Sequence, residues 1–129
     1  MAVWKKSRTG SVSKRSTLSE SQREFALLVS KLIRHIYRCG YEVTLGDAYR
    51  DPRVHGKIGE KKSYSSANSN HKRKLAIDLN LFHRNEYLSA TEDHRQFGLY
   101  WESLHEKCRW GGRFNDGNHY EYVHEGYDR

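Results

Sequence analysis

Residues 69–78 read SNHKRKLAID, and the apolar run that begins after Lys74 predicts a strand that carries Asp78. His71 lies seven residues before Asp78, and His119 lies forty-one residues after it. Two imidazoles and one carboxylate from separated segments are the kind of set that a catalytic zinc uses, because three protein ligands leave the fourth tetrahedral position for water. We therefore predict that the rest of the chain holds these three side chains together.

The chain is short, basic and rich in aromatic residues. Its 129 residues suffice for one domain with a modest core, to which nine Tyr, three Trp and four Phe contribute much of the apolar surface. Lys and Arg outnumber Asp and Glu by 23 to 16, so the formal net charge is +7. This charge favours polyanionic partners, which include nucleic acid, anionic envelope polymers and lipid headgroups, and by itself it does not select one of them.

Residues 1–16 are basic and Ser-rich and lack the apolar stretch that a secretory signal or a membrane span needs. We predict a flexible arm over residues 1–16, a single domain over residues 17–129 and synthesis in the cytoplasm without a signal peptide. Two cysteines, Cys39 and Cys108, are too few for a disulfide framework.

Hydrophobic periodicity predicts the first half of the fold. Residues 17–38 form an amphipathic helix, which begins with the capping-box pair Thr17 and Glu20 and ends at Gly40. Alternation predicts strands over residues 41–48 and 75–81, with Asp78 on the face opposite the apolar side chains. A long polar loop over residues 53–70 separates the two strands.

The second half contains a further helix and a final strand. We interpret residues 83–90 as a turn or a short irregular excursion, followed by a helix that Thr91 caps. The buried stripe of this helix is predicted to comprise Phe97, Tyr100, Trp101, Leu104 and Cys108. After a turn at Trp110-Gly111-Gly112, residues 118–123 form a strand that carries His119. The fold class is therefore α+β, a small antiparallel sheet flanked by helices.

Two motifs carry a specific resemblance. The first comprises Ser69, His71, Ala76 and Asp78, which match the pattern S-x-H-x-x-G-x-A-x-D. The second, WGGRFNDGNH at residues 110–119, matches W-G-G…D-x-x-H. With these motifs the chain resembles the zinc D-Ala-D-Ala carboxypeptidase family, which includes vancomycin-resistance dipeptidases and phage L-alanyl-D-glutamate endolysins. The resemblance covers roughly residues 41–123 and implies the fold that these peptidases share with hedgehog domains. Lys74 departs from the pattern, because it occupies the usual glycine position.

The resemblance also implies a set of site residues. His71, Asp78 and His119 would bind Zn²⁺, and Asp116 would act as the general base. Arg50, in the sequence DAYRDP, falls where the family has an arginine near the substrate, and it would stabilise the developing oxyanion.

The activity that the resemblance implies is hydrolysis of a peptidoglycan stem-peptide bond that involves a D-amino acid. An aspartate base, instead of the glutamate common in the dipeptidases, favours an L-Ala-D-Glu endopeptidase over a D-Ala-D-Ala carboxypeptidase. We further expect a monomer that adheres to the anionic cell envelope. It would be made in the host cytoplasm and reach the wall after a holin permeabilises the membrane.

Other interpretations of the same residues stay open. His71 is also consistent with an ordinary loop histidine, Asp116 with a turn residue before Gly117, and Arg50 with a structural ion pair. Glu121 and His124 are rival ligands near the final strand, and alternation places only Glu121 on the same face as the histidine ligand. Ser69 and Trp110 are candidates for supporting the ligands.

Two other classes of protein also fit parts of the sequence. The run HKRK at residues 71–74, together with the net charge and the aromatic residues, is consistent with a nucleic-acid-binding module or a small metal nuclease. A zinc-bearing binding module without turnover is a third possibility, which the presence of Asp116 disfavours. We expect no nucleic-acid partner, because the basic residues are spread along the chain.

Overall fold

The computed structural model describes residues 17–49 and 69–124, which form two α-helices, five β-strands and three short 3-10 helices. In chain order the helices and strands are α1 (Leu18–Arg38), β1 (Glu42–Leu45), β2 (Ala76–His83), β3 (Glu86–Leu88), α2 (Arg95–Leu104), β4 (Cys108–Trp110) and β5 (His119–Tyr122). The 3-10 helices are Asn70–Arg73, Thr91–His94 and Gly111–Phe114. The predicted α+β class is confirmed. The predicted arm over residues 1–16 and most of the predicted loop lie outside the described residues.

The five strands form one sheet in the order β1-β2-β5-β4, and β3 pairs with the end of β2. Every pairing is antiparallel. The long strand β2 therefore contacts β1 along one edge and both β3 and β5 along the other. The register between β2 and β5 sets Asp78 directly opposite His119, two residues that are far apart in sequence.

Helix α1 begins at the predicted capping box. The backbone N–H of Glu20 donates to Thr17 Oγ1 at 3.0 Å, and the backbone N–H of Thr17 donates to Glu20 Oε1 at 2.9 Å. The reciprocal bonds satisfy N–H groups that have no partner within the helix. At the other end Gly40 adopts a φ of 89°, a conformation that glycine tolerates and that ends the helix. The predicted helix is confirmed.

The core lies between the two helices and one face of the sheet. Its apolar members are Phe25, Leu28, Leu32, Ile36, Leu75, Ile77, Leu79, Leu81, Phe97, Trp101, Cys108, Trp110, Tyr120 and Tyr122. Trp101 of α2 is fully buried and makes edge-to-face contacts with Phe25 and Tyr120. Its indole Nε1–H donates to the backbone carbonyl of Glu121 at 3.0 Å, so burying this tryptophan leaves no unsatisfied donor.

Over residues 83–90 the sequence predicted a turn or a short irregular excursion; the structure has a turn, but it belongs to a hairpin whose second strand, β3, was not predicted. Strand β3 pairs with the end of β2 through a two-residue turn, in which Arg84 and Asn85 have φ values of 53° and 67°. Positive φ at both positions is the geometry of the tight turns that match strand twist. Arginine is uncommon in such turns, so the local sequence gave little sign of this hairpin.

The start of α2 also differs from the prediction. Residues Thr91–His94 form a 3-10 helix, Ala90 is its N-cap, and the α-helix begins only at Arg95. Thr91 instead accepts a hydrogen bond at its Oγ1 from the backbone N–H of Gly117, at 3.2 Å. Cys108 is buried as predicted, but it begins β4 and does not belong to the helix.

Strand β1 is shorter than predicted, because it ends at Leu45, whose side chain is 67% exposed. The segment that follows β1 still lies along β2, since the backbone N–H of Gly46 donates to the carbonyl of Asp78 at 2.8 Å. No helix in the described part of the chain combines the length and the apolar character that crossing a membrane requires.

Candidate metal centre

The structure brings His71, Asp78 and His119 together, although they come from three separate segments. One ligand atom from each lies within 4.8 Å of the other two. His71 Nε2 is 3.2 Å from His119 Nδ1, and Asp78 Oδ1 is 3.3 Å from each of these nitrogens. Two imidazole nitrogens and one carboxylate oxygen at this spacing fit a zinc ion, with a tetrahedral position left for water.

The backbone around Asp78 is held on the side of β1. Its N–H donates to the carbonyl of Asp47 at 2.8 Å, and its carbonyl accepts the bond from Gly46. The side chain is about one-fifth exposed, at 20%. The backbone of Asp78 is therefore fixed by the sheet, and its carboxylate remains partly exposed.

The orientation of His71 is set by two hydrogen bonds. The residue lies in the 3-10 helix Asn70–Arg73, whose N-cap Ser69 accepts the backbone N–H of His71 at Oγ, at 3.1 Å. On the ring, Nδ1 lies 3.0 Å from the carbonyl oxygen of Ala48, to which an Nδ1–H donates. Because that tautomer leaves Nε2 without a proton, the lone pair of Nε2 is directed into the cluster.

Lys74, which replaces the usual glycine of the motif, ends the same 3-10 helix. Its φ of 62° and ψ of 36° lie in the left-handed region, where glycine carries no steric penalty. The backbone thus keeps the conformation that a glycine would adopt, and the lysine bears the strain. Lys74 Nζ lies 5.1 Å from the centre of the Tyr49 ring, a cation–π contact that offsets part of that strain.

Asp116 lies beside the cluster. Its Oδ2 is 4.0 Å from His119 Nδ1, and its side chain is 37% exposed. Its backbone N–H donates to the carbonyl of Gly111 at 3.0 Å, and its own carbonyl accepts the N–H of His119 at 3.1 Å. The carboxylate is therefore held next to the candidate metal position while it remains accessible to a substrate.

The WGG turn is shaped by close contacts in this loop. A Cβ on Gly111 would lie 2.5 Å from the carbonyl oxygen of Asp116 and 2.9 Å from the Cβ of His119. The indole Nε1–H of Trp110 donates to the carbonyl of Gly117 at 2.7 Å. Trp110 therefore supports the segment between the proposed base and the third ligand, and Ser69 supports the first ligand.

Glu121, the rival ligand, lies on the far side of His119. Its Oε1 is 2.8 Å from His119 Nε2, whereas Nδ1 of that ring is the nitrogen that faces the cluster. The other rival, His124, is also placed elsewhere, because its Nδ1 lies 2.8 Å from Ser21 Oγ. Neither side chain belongs to the group of ligand atoms.

The carboxylates around His119 dominate its electrostatics. Burial alone lowers its pKa, but Asp78 and Glu121 raise the pKa of His119 to about 9. Burial alone raises the pKa of Asp78, and hydrogen bonds with His119 and His71 nevertheless hold it well below its usual range. The cluster thus has an affinity for positive charge, which a bound cation satisfies in place of the proton.

Arg50, the predicted oxyanion-stabilising residue, lies outside the described residues. Sequence reasoning missed Arg109, which donates to Glu121 from β4. Its pairing with Glu121 could have been found only from its position in a strand that pairs with residues 119–122. That strand, β4, was not predicted.

An α+β fold that holds two imidazoles and a carboxylate at ligand spacing, with a second carboxylate alongside, has the arrangement that metal-dependent hydrolases use. Residues 63–122 match the family model described as D-alanyl-D-alanine carboxypeptidase. Over this segment the chain matches that family of zinc-dependent metallopeptidases, which confirms the resemblance carried by the two motifs. A comparison with the curated proteins gives no match.

Proposed function

We propose that the protein is a zinc-dependent peptidoglycan hydrolase that cleaves a stem-peptide bond involving a D-amino acid, and that its preferred bond is L-Ala-D-Glu. The observation that carries this proposal is the cluster of His71, Asp78 and His119, with Asp116 4.0 Å from His119 Nδ1. The cluster lies within the segment that matches the peptidase family.

In this proposal His71 Nε2, Asp78 Oδ1 and His119 Nδ1 hold the zinc ion. When bound, zinc supplies a Lewis acid that makes water nucleophilic at neutral pH and polarises the scissile carbonyl. Asp116 accepts the proton of the attacking water and then donates it to the nitrogen of the leaving amine. One carboxylate can perform both steps, because it is held beside the ligands by its backbone and is partly exposed.

Arg50 completes the proposed site. A guanidinium near the scissile carbonyl would donate to the oxygen that gains negative charge as water attacks. The support for this role is its position in the DAYRDP sequence, which follows β1 and precedes the segment of the ligands.

The choice between endopeptidase and carboxypeptidase depends on the base and on the substrate ends. An aspartate at position 116 is the feature that the chain shares with the L-Ala-D-Glu endopeptidases. The description of the matching family favours the second candidate, removal of a terminal D-alanine. The endopeptidase releases a peptide that begins with D-Glu and leaves L-Ala on the glycan strand, whereas the carboxypeptidase releases free D-alanine.

The decisive experiment incubates purified protein with peptidoglycan, with and without a chelator, and identifies the products by mass spectrometry. We expect about one zinc ion per chain and chelator-sensitive release of peptides that begin with D-Glu. His71→Ala and His119→Ala should lose both zinc and activity, whereas the control His83→Ala, which changes a histidine outside the cluster, should keep both. Free D-alanine as the only product would support the carboxypeptidase. Cleavage of DNA but not of peptidoglycan would support the nuclease alternative.

The proposal extends to how the enzyme reaches and contacts the wall. Lys31, Arg34 and Arg38 line a groove of about 330 Å³ between α1 and α2, together with His35 and Tyr100. The last two rings stack at 3.7 Å, and no described residue forms an ion pair with any of the three cations. We assign this basic groove to adherence to anionic envelope polymers.

We also propose that the protein acts as a monomer and as a phage endolysin, made in the host cytoplasm and released by a holin. The support is the chemistry of the proposed substrate, which lies outside the cytoplasmic membrane. Expression in a susceptible host should cause lysis only when a holin is co-expressed. Lysis by the enzyme alone would contradict this route.

A further inference from the structure

The ring of His119 is held from both sides. Its Nδ1 faces His71 and Asp78, and its Nε2 lies 2.8 Å from Glu121 Oε1. A carboxylate oxygen accepts hydrogen bonds and cannot donate them, so Glu121 selects the tautomer with the proton on Nε2. In that tautomer Nδ1 has a lone pair and no proton, which is what a metal ligand needs.

The side chain of Glu121 is itself fixed by burial and by an ion pair. Its side chain is 1% exposed, and an isolated carboxylate in such surroundings would be strongly unfavourable. Arg109, its cross-strand neighbour on β4, donates from Nε to Glu121 Oε2 at 2.8 Å and also from Nη2 to the same oxygen. One oxygen of the carboxylate thus serves the arginine and the other serves the histidine.

The backbone of Glu121 is fixed as well, because its carbonyl accepts the indole Nε1–H of Trp101 at 3.0 Å. Trp101 is fully buried in the core. The chain of contacts from Trp101 and Arg109 through Glu121 to His119 connects the core and β4 to the candidate metal centre.

We infer that Glu121, clamped by Arg109, is a positioning residue that sets the zinc affinity of the site by fixing the tautomer and the orientation of His119. The inference rests on the proposed role of His119 as a ligand. Loss of a carboxylate or carbonyl partner of a metal-binding histidine typically weakens metal binding about 10–100-fold.

The substitution Glu121→Gln tests this inference, because the amide cannot satisfy both neighbours. Arg109 requires an acceptor, so the amide oxygen should turn towards Arg109 and the NH₂ group towards His119 Nε2. That arrangement favours the tautomer with the proton on Nδ1, which opposes ligation. We expect zinc affinity, measured by competition with a chromophoric chelator, to fall about 10–100-fold. Turnover should recover when zinc is in excess.

The double variant Glu121→Gln/Arg109→Leu provides a rescue. Without the guanidinium the amide oxygen is free to accept from His119 Nε2, so part of the lost zinc affinity should return. The matched control is Glu92→Gln, which changes an exposed carboxylate that pairs with Arg95 at 2.8 Å and is not part of the ligand cluster. Its zinc affinity should equal that of the unchanged protein.

The unchanged protein gives a readout that does not depend on how the variants fold. In the zinc-loaded form, long-range ¹H–¹⁵N NMR of the imidazole should find the His119 proton on Nε2. A proton on Nδ1 would overturn the inference. A folded Glu121→Gln protein with unchanged zinc affinity would also overturn the inference, whether its turnover is normal or lost. If its turnover is lost while its zinc affinity is unchanged, Glu121 would be the general base.

Failure of the wider proposal is distinguishable from failure of this inference, since zinc affinity and the tautomer are measured without substrate. A protein that binds zinc as described but leaves peptidoglycan intact would refute the proposed substrate and support the role of Glu121. A protein without zinc affinity would overturn both.

Discussion

Asp116 is the residue on which the proposed chemistry depends most directly. Asp116→Asn keeps the shape of the side chain and removes its basicity, while the three proposed ligands remain. We expect zinc content to be unchanged and turnover to fall about 10²–10⁴-fold, the usual contribution of a general base. Zinc content, melting temperature and product release should be measured on the same preparation.

The matched variant Asp116→Ala should give the same loss of turnover. If Asp116 only stabilises a turn, both variants would lose about 1 kcal/mol of stability and keep their turnover per folded molecule. A zinc-loaded, folded Asp116→Asn protein with normal activity would therefore remove Asp116 from the mechanism.

Lys74 shows how one residue can adopt a conformation that its motif reserves for glycine. Lys74→Ala keeps the left-handed strain and loses the contact with Tyr49, so it should lower the free energy of unfolding by about 0.5–1 kcal/mol. Lys74→Gly also loses the contact but relieves the strain, so it should be about 1 kcal/mol more stable than the alanine variant. Urea unfolding measures both. Equal stability of the two variants would show that the backbone at this position is unstrained.

At the scale of elements, the contact between α2 and the WGG turn supports the loop that carries Asp116. Gly98 and Gly112 both lie against the Trp110 ring, and a Cβ at either position would overlap the indole. Gly→Ala in a helix interior usually stabilises by up to about 1 kcal/mol through propensity. At Gly98 steric overlap opposes this gain and should dominate.

We therefore expect Gly98→Ala to lower the free energy of unfolding by about 1–3 kcal/mol. It should also impair turnover, because Trp110 Nε1 holds the carbonyl of Gly117. Gln96→Ala, at an exposed position of the same helix, is the control and should be neutral or slightly stabilising. A Gly98→Ala protein as stable as this control would contradict the described packing.

At the scale of the whole molecule, stability should depend on pH through His94. This side chain is 2% exposed, and its Nδ1 lies 2.9 Å from the hydroxyl oxygen of Tyr120. Burial lowers the pKa of His94 to about 4, although Asp93 acts in the opposite direction. In the unfolded chain His94 binds a proton more readily than in the folded protein. The stability that neutral His94 contributes is therefore fully present above pH 6.5 and is lost as the pH falls towards 4.

The loss amounts to about 3 kcal/mol at most, from the difference between the two pKa values. His94→Asn retains a polar group near the hydroxyl of Tyr120 and cannot titrate. Its stability, whatever its value at pH 7, should fall less steeply between pH 6.5 and 4 than that of the unchanged protein. If the free energy of unfolding has the same pH dependence in the His94→Asn variant and in the unchanged protein, His94 is not the source of the acid sensitivity.

The net charge of +7 also acts at this scale. Attraction between the basic groove and an anionic wall should weaken with salt, since the screening length is about 10 Å at 0.1 M and shorter above it. Arg34→Gln/Arg38→Gln should reduce wall adherence at low salt and flatten its salt dependence. The control Arg23→Gln/Arg95→Gln removes the same charge outside the groove and should have a smaller effect. Equal effects would assign adherence to net charge alone.

Local patterns in the sequence were sufficient for much of this protein. Three features depend only on residues a few positions apart: the capping box at Thr17, the spacing of apolar residues in α1 and the alternation in β2. They can therefore be recognised in the sequence without the fold. The two motifs likewise named the members of the cluster, His71, Asp78 and His119. The α+β class, the first helix and the family followed from these features.

Tertiary structure decided what depends on contacts between distant segments. Arg84 adopts a hairpin-turn conformation that its identity does not favour, because pairing of β3 with β2 compensates for it. The register of β2 and β5 sets Asp78 opposite His119, and the 3-10 helix Asn70–Arg73 brings His71 to them, so that the ligand atoms lie within 4.8 Å of one another. Whether Glu121 binds the metal or orients His119 depends on which ring nitrogen faces the cluster and on the pairing with Arg109. Neither can be read from a single strand, because each is fixed by side chains that only the folded sheet brings together.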